Sequence, residues 1–116
     1  MSKSRTIPRV AGPAPKQQPE SPIVYTCLKW LLDNGYYVWR NATGGCKAGN
    51  RWLHFGLKGS GDIIGMTRSG RFLSVEIKTA TGVLRPEQAT FMERVRAHGG
   101  MAIVARSVED LVKEGL

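Results

Sequence analysis

The length, composition and charge of the chain limit the kinds of protein it can be. Its 116 residues, of which 41% are hydrophobic and 22% charged, are enough for one domain with a single core but not for two. No apolar run approaches the roughly 20 residues that span a bilayer, and the basic N-terminus lacks the apolar segment of a secretory signal. We therefore expect no membrane partner. The net charge of +8 favours an anionic partner such as nucleic acid.

Residues 1–19 differ in composition from the rest of the chain. They contain four prolines and four basic residues but no acidic residue, and so supply half of the net charge. A segment with so few large apolar groups does not bury enough surface to offset the entropy lost on ordering. We predict a flexible basic arm at residues 1–19 and a folded domain at residues 20–116. The arm either follows nucleic-acid phosphates or only increases solubility, and both uses stay open.

The two cysteines and two histidines do not have the spacing of a zinc site. Cys27 and Cys46 are not part of a C-x-x-C pair, and His54 and His98 are far from both in the sequence. We expect one thiol in a helix core and one in a loop, both free in a reducing cytoplasm. His98 is expected to end a helix, where the helix dipole favours it, rather than to act as a catalytic base.

The first half of the folded domain is predicted to contain one helix and two strands. Ser21 is a candidate N-cap, and Pro22 suits the first turn of a helix. Apolar residues recur at helical spacing from Ile23 onward, and Asn34-Gly35 ends the pattern. We then predict a strand at residues 36–39, a loop at residues 41–50 and a short strand at residues 51–55.

The second half is predicted to begin with a hairpin and to end with a helix. Arg68-Ser69-Gly70 is a tight turn between two runs of strand character. We predict strands at residues 62–67 and 71–78, a helix at residues 86–98, a strand at residues 101–105, and a last helix capped by Ser107 with Asp110. This order of elements predicts an α/β fold, with a small mixed central sheet flanked by helices.

The predicted hairpin brings three charged side chains onto one face. If Arg68-Ser69-Gly70 is the loop, Thr67 lies opposite Arg71, and counting back places Asp62 opposite Glu76. Directly opposed side chains lie on the same face, roughly 5 Å apart. Lys78, two residues beyond Glu76, shares that face. A slip of one residue in the strand register would separate the two carboxylates.

Two adjacent carboxylates with an ammonium group beside them suit metal-assisted hydrolysis. Their repulsion is relieved by a hard divalent cation, which polarises a phosphodiester and lowers the pKa of bound water. Lys78 would orient that water or stabilise the developing charge. The alternative for a Glu-x-Lys sequence is a solvated strand face. We favour the site, because the opposite face of the strand is already apolar, with Leu73, Val75 and Ile77.

The sequence also resembles a known family of nucleases. Gly61-Asp62, Val75-Glu76-Ile77-Lys78 and Pro86-Glu87-Gln88 resemble the motifs of the PD-(D/E)XK nucleases. More narrowly, residues 20–112 resemble a virus-type replication-repair nuclease (VRR-NUC) domain. The supporting features in this sequence are Glu20, Val38-Trp39-Arg40-Asn41, Phe55-Gly56-Leu57, Gly59, Phe91 and His98-Gly99-Gly100.

The resemblance implies a role for each residue that matches a motif. Asp62 and Glu76 would hold Mg²⁺ or Mn²⁺, with the Ile77 carbonyl as a further ligand, and Lys78 would be the catalytic lysine. Glu20, from the first helix, would bind the metal through water. Gln88, from the following helix, would brace Lys78 or contact a phosphate. From the residues alone, Glu20 could instead only favour its helix N-terminus, and Gln88 could be an ordinary solvated residue.

The resemblance further implies a metal-dependent, structure-specific DNA endonuclease. Small members of this kind are similar to Holliday-junction resolvases that act as homodimers, in the cytoplasm of a bacterial or phage-infected cell. The alternatives are a nuclease acting on flaps, nicks or linear DNA, and a DNA-binding module that has kept the fold without cleavage. Tyr36, Tyr37 and Trp52 are candidates for a subunit contact, and the alternative is a monomer whose aromatics complete its own core.

Two further groups of residues have weaker interpretations. Four basic side chains could line a phosphate groove, although for any single one an ordinary solvated surface is the simpler interpretation; they are Arg40, Lys47, Arg51 and Lys58. Trp30 and Trp39 are expected in the core rather than as platforms for stacked bases.

Overall fold

The computed structural model describes residues 20–116, which form three helices and six strands. The basic arm predicted at residues 1–19 lies outside the described residues and stays a prediction. In chain order the elements are α1 (Ser21–Asp33), β1 (Tyr37–Arg40), β2 (Gly44–Ala48), β3 (Arg51–Phe55), β4 (Ile63–Met66), β5 (Phe72–Ile77), α2 (Pro86–Ala97), β6 (Met101–Ala105) and α3 (Val108–Lys113).

Four of the strands form a mixed central sheet in the order β1-β4-β5-β6. β1, β4 and β5 are antiparallel neighbours, whereas β6 runs parallel to β5 after the crossover through α2. β2 and β3 pair only with each other and form a separate two-stranded ribbon. The predicted α/β fold, with a mixed central sheet flanked by helices, is confirmed.

The helices cover the two faces of the sheet unequally. Alternate residues of β5, Leu73, Val75 and Ile77, are completely buried against α1 and α3, in a cluster that includes Leu31 and Leu111. On the opposite face, α2 packs a smaller apolar cluster against β6, made of Met92, Val95 and Ala102. The side chains of Ser74, Glu76 and Lys78 also point to this second face, because they alternate with the core residues of β5.

The beginning of α1 differs from its prediction by one residue. Glu20, not Ser21, is the N-cap residue, and Ser21 is already the first helical residue, next to Pro22. The helix ends before Asn34, and Gly35 follows with a φ of 86°. A residue with a Cβ is disfavoured in that conformation, which explains why Asn34-Gly35 ends the helix.

The loop predicted at residues 41–50 contains a strand, so that prediction is wrong. Gly44 to Ala48 form β2, which pairs with β3 in antiparallel register. Glycine has low strand propensity, which is why Gly44 and Gly45 indicated a loop. In the structure the Phe55 and Trp52 rings lie over these glycines and take the place of the missing side chains.

The last helix begins at the predicted place without the predicted cap. Ser107 is the N-cap residue of α3, but its side chain makes no capping hydrogen bond. Asp110 instead accepts a 2.8 Å hydrogen bond from the Arg106 backbone N–H. The capping role assigned to Ser107 and Asp110 is therefore wrong, because the carboxylate bonds one residue before the N-cap.

The predictions for cysteines and tryptophans are confirmed in part. Cys27 is buried in α1, and burial raises the pKa of its thiol to about 11. Cys46 is a free exposed thiol, but it lies on β2 rather than in a loop. Trp30 packs against the core, whereas Trp39 is 48% exposed, so its core assignment is wrong.

Among the helices of residues 20–116, none is both long and apolar enough to cross a membrane.

Candidate active site

The β4–β5 hairpin places Asp62 and Glu76 opposite each other. Ile63 pairs with Val75, and the backbone N–H of Thr67 donates a 2.8 Å hydrogen bond to the Arg71 carbonyl at the turn. The next pair beyond Ile63 and Val75 is Asp62 with Glu76. The register predicted from the loop length is confirmed, and the two carboxylates share one face of the sheet.

Asp62 is held in place by the backbone of the neighbouring strand. Its Oδ2 accepts a 2.7 Å hydrogen bond from the backbone N–H of Ile77. The preceding residue, Gly61, approaches β5 so closely that an added Cβ would lie 2.3 Å from the Ser74 Oγ. Only glycine fits at this position, so the Gly61-Asp62 pair positions the carboxylate by close backbone contact.

Asn41 braces the loop that leads into Asp62. Its backbone N–H donates to the Asp62 carbonyl at 2.8 Å, and its Nδ2 donates to the Ser60 Oγ at 2.7 Å and to the Gly61 carbonyl at 2.9 Å. Sequence reasoning included Asn41 only in the family resemblance and gave it no role. Its position one residue after β1 was the available signal, because β1 pairs with β4 next to the site.

Glu76 is a buried carboxylate whose charge is disfavoured by its surroundings. It is 4% exposed. Burial, and after it the negative charge of Asp62, raise the pKa of Glu76 from 4.5 to about 8, against the opposing effect of Lys78. The charge of Glu20 contributes a further, smaller increase to this pKa. Without a metal ion nearby, Glu76 therefore favours its protonated form at neutral pH.

Gln88 contacts Glu76 directly. Its Nε2 donates a 2.9 Å hydrogen bond to the Glu76 Oε2, and its Oε1 accepts a 2.9 Å hydrogen bond from the Arg85 backbone N–H. Gln88 is buried, so the interpretation as a solvated residue is wrong. The resemblance implied that it braces Lys78 or contacts a phosphate. In the structure its amide donates to Glu76, because the first turn of α2 lies above β5, and the phosphate contact stays a prediction.

Lys78 is buried beside Glu76. Its Nζ lies 3.6 Å from the Glu76 Oε2, and the residue is only 6% exposed. The turn at residues 79–82 packs against its aliphatic stem, since a Cβ on Gly82 would be 3.4 Å from the Lys78 Cδ. The Arg106 guanidinium holds this turn through the carbonyls of Thr79 and Gly82. Sequence reasoning missed Arg106, whose partners are distant in the chain.

The two carboxylates open onto a polar cleft of about 380 Å³. Lys58 and Arg85 line it, and the Arg85 Nε lies 3.3 Å from the Glu87 Oε2. Of the four basic residues considered for a phosphate groove, Lys58 lines this cleft, whereas Arg40, Lys47 and Arg51 do not. The phosphate groove itself stays a prediction. Lys78 is not part of the cleft wall. The lining residues are Thr43, Lys58, Gly59, Ser60, Asp62, Glu76, Arg85, Glu87 and Gln88.

The family model for the VRR-NUC domain matches residues 45–109, more than half of the chain. The chain belongs to the VRR-NUC family. The match includes Asp62, Glu76, Lys78 and Gln88, whereas α1 and Glu20 precede it. The family model therefore does not cover the segment between Glu20 and residue 44, to which the resemblance was extended. Comparison with curated proteins gives no match.

Membership in this family indicates a nuclease-type function and places the chain in the PD-(D/E)XK superfamily. A nuclease is a hydrolase that binds nucleic acid, which agrees with the basic charge of the chain. Nuclease domains of the PD-(D/E)XK type generally use divalent metal ions.

The carboxylates of this VRR-NUC domain suit a hard divalent cation with few protein ligands. Within residues 20–116, no group of three or more Asp, Glu, His or Cys side chains is spaced to hold a metal ion. Glu20 is thus near enough to raise the pKa of Glu76 but does not complete such a group. Mg²⁺ commonly binds through one or two carboxylates, with water and phosphate oxygens as the other ligands. Asp62 and Glu76 fit that pattern.

Proposed function

We propose that this VRR-NUC domain is a Mg²⁺- or Mn²⁺-dependent endodeoxyribonuclease that cleaves branched DNA, with a four-way junction as its substrate. The observation that carries the proposal is the pairing of Asp62 with a buried Glu76 at a polar cleft that Lys58 and Arg85 also line. A metal ion held there would polarise the scissile phosphodiester and increase the acidity of a water molecule.

The residues around the metal position have separate tasks in this proposal. Asp62 and Glu76 would provide the protein ligands, with the Ile77 carbonyl and, through water, Glu20 as the further ligands that the family resemblance implies. The Ile77 N–H fixes the orientation of Asp62, and the Gln88 amide fixes that of Glu76. Both carboxylates then keep their geometry before the substrate arrives, which is how an active site avoids reorganisation during the reaction.

Lys78 would act from beneath Glu76. Its ammonium group, 3.6 Å from the Glu76 Oε2, compensates the carboxylate charge and adds positive potential where negative charge develops on the phosphate. The low exposure of Lys78 strengthens this effect, because fewer water molecules screen the charge. We assign Lys78 to electrostatic stabilisation rather than to proton abstraction.

The DNA backbone would enter along the side of the cleft that carries Lys58 and Arg85. Lys58 and Arg85 stand beside the carboxylates, where they would contact the phosphates flanking the scissile bond. Such contacts position a substrate without reading its sequence. They also make affinity fall as salt rises, since binding releases counterions from the DNA.

A homodimer would give the paired cuts that junction resolution needs. Symmetric cleavage of a four-way junction is suited to two active sites related by a two-fold axis. An exposed apolar row on the sheet supports such a contact: Tyr37, Met66 and Phe72 are direct neighbours across three strands and are 67%, 36% and 42% exposed. Trp39 extends this row. Tyr36, by contrast, is buried and stacks on Trp30, so it completes the chain's own core.

The test is cleavage of a panel of DNA substrates by the purified protein. Labelled four-way junctions, flaps, nicked duplexes and plain duplexes are incubated with Mg²⁺ or Mn²⁺, with a chelator as the control. We expect paired cuts near the junction centre, and none with the chelator. Preferential cleavage of flaps or nicks would replace the junction assignment, and binding without cleavage of any substrate would leave a DNA-binding module.

A further inference from the structure

The β2–β3 ribbon projects from the domain with little cover. Every residue of β3 is exposed, and every residue of β2 except Gly45 is exposed. An isolated two-stranded hairpin is only marginally stable in water, so this exposed ribbon adds little to the stability of the fold. Both ends of the ribbon lie at the active site, since Thr43 precedes β2, Lys58 follows β3, and both line the cleft.

The excess positive charge of the described domain lies in the segment that contains this ribbon, and two of its basic residues are on the ribbon itself. Residues 40–61 contain four basic residues and no acidic one, whereas the remainder of residues 20–116 has equal numbers of basic and acidic residues. Lys47 lies on β2 and Arg51 lies beside the tip, at the start of β3. A charged, projecting two-stranded ribbon next to a phosphodiester cleft is complementary to DNA in both charge and shape.

One face of the ribbon carries an ordered indole ring. Trp52 is paired directly with Lys47, and its ring lies across Gly45, where an added Cβ would be 2.4 Å from the indole Nε1. The ring is 60% exposed, and His54 packs against it edge to face at a centroid distance of 6.4 Å. An aromatic ring held against a strand, with its outer side open, can stack on a base without first being ordered.

We propose that the β2–β3 ribbon recognises the branch point of the DNA, with Trp52 stacked on a base exposed there and Lys47 and Arg51 on the adjoining phosphates. This proposal rests on the proposed function, because it names how the same cleft selects its substrate. The interior of a plain duplex presents no free base face. The ribbon therefore distinguishes branched DNA from duplex DNA through Trp52, while its two basic residues bind both kinds.

Two substitutions change the ring in different ways. Trp52→Ala removes it. Gly45→Ala keeps the indole but forces it to move, because the added Cβ would lie 2.4 Å from the Nε1. It adds no backbone strain, because Gly45 does not have a positive φ. The control is Leu32→Ala, which shortens an apolar side chain, 47% exposed, on α1, on the other face of the sheet. Circular dichroism and light scattering establish that each variant keeps its fold and its assembly state.

The measurement is equilibrium binding to a labelled four-way junction and to a plain duplex of matched length, with chelator present to prevent cleavage. Base–aromatic stacking contributes about 1–3 kcal/mol per base, so we expect Trp52→Ala and Gly45→Ala to weaken junction binding about tenfold and duplex binding less than twofold. Leu32→Ala should change neither. The double variant Lys47→Gln, Arg51→Gln should weaken both and flatten the salt dependence.

Several results would overturn the ribbon proposal. One is an unchanged junction affinity in Trp52→Ala, and another is an equal loss of affinity for junction and duplex in that variant. A third is conversion of a dimer to a monomer by Trp52→Ala, which would make the ring a subunit contact. The proposed function is judged separately, by cleavage with the wild-type protein. If the wild type cuts junctions while Trp52→Ala keeps its preference for them, only the ribbon proposal fails. If Trp52→Ala loses its binding preference for junctions but the wild type cleaves no DNA, only the proposed nuclease activity is contradicted.

Discussion

The side-chain amide of Gln88 donates a 2.9 Å hydrogen bond to the carboxylate of Glu76, and both residues are buried. The contact joins the first turn of α2 to the strand that carries the candidate metal ligand. Gln88 is itself fixed by the Arg85 backbone. The orientation of Glu76 therefore depends on where α2 begins.

We expect Gln88→Ala to reduce cleavage about 10- to 100-fold, the usual effect of losing a group that orients a metal ligand. The Mg²⁺ concentration for half-maximal rate should rise, because Glu76 is then free to rotate. Glu93→Ala on the exposed side of α2 is the control. Steady-state rates over a Mg²⁺ titration provide the test. A lower rate with an unchanged Mg²⁺ requirement would mean that Gln88 has only a structural role.

Replacing Lys78 should affect turnover far more than affinity, since its charge acts on the transition state. We expect Lys78→Ala to lower the rate by about 10²-fold or more while DNA binding changes little. Lys78→Arg should also be poor, because a planar guanidinium does not fit the enclosed position of a compact ammonium. Lys113→Ala on the exposed end of α3 is the control. Near wild-type turnover in Lys78→Arg would contradict this role.

The raised pKa of Glu76 gives the metal-free protein a defined dependence on pH. The folded protein keeps this proton to a pH of about 8, whereas the group ordinarily releases it near 4.5. The folded state thus binds more protons than the unfolded state in this range, and its stability falls as pH rises between these values. Added Mg²⁺ favours the ionised carboxylate, so its stabilising effect should grow over the same range.

The comparison of Glu76→Gln with wild type isolates this effect, because glutamine resembles the protonated acid. In thermal melts with chelator, the Tm advantage of Glu76→Gln should be larger at pH 8.5 than at pH 5. Asp33→Asn, an exposed carboxylate on α1, is the control. A constant difference in Tm across this range would show that Glu76 is ionised in the metal-free protein.

The pairing of Asp62 with Glu76 could be predicted from sequence because it depends on local information. The length of the turn between Thr67 and Arg71 sets the register, and the alternation of apolar residues along β5 identifies the buried face. The strand at β2 could not be predicted in this way. Its glycines are stabilised in the strand by the rings of Trp52 and Phe55, which follow later in the chain.

The partners of the site residues also required the tertiary structure. The sequence indicated that Gln88 lies near the active site, but the choice of Glu76 rather than Lys78 depends on how α2 is placed over β5. The burial of Lys78 likewise depends on Arg106, which follows the neighbouring strand β6 and holds the covering turn, although it is 24 residues from Gly82 in the chain. Such contacts follow from packing between elements, and residue spacing gives no information about them.

Assembly is tested by light scattering at micromolar concentration. We expect a dimer, and we expect Tyr37→Asp to give a monomer, because it places a charge in the apolar row beside Met66. Paired junction cuts should then become single nicks. Leu32→Asp on α1 is the control. A wild-type protein that is monomeric both free and on DNA would favour the cleavage of nicks or flaps, with the same residues at the active site.

The most direct measurement of the central proposal compares cleavage and binding by wild type, Asp62→Asn and Glu76→Gln on one labelled four-way junction in Mg²⁺. Each variant removes one carboxylate charge and keeps the size of the side chain, and Asp33→Asn is the matched control. We predict that both site variants lose about 10³-fold or more in cleavage rate, corresponding to several kcal/mol of metal-dependent stabilisation. Their affinity for the junction should stay within about twofold of wild type, because phosphate contacts dominate binding. Cleavage by either variant at the wild-type rate would contradict the assignment of Asp62 and Glu76 as the metal-binding pair.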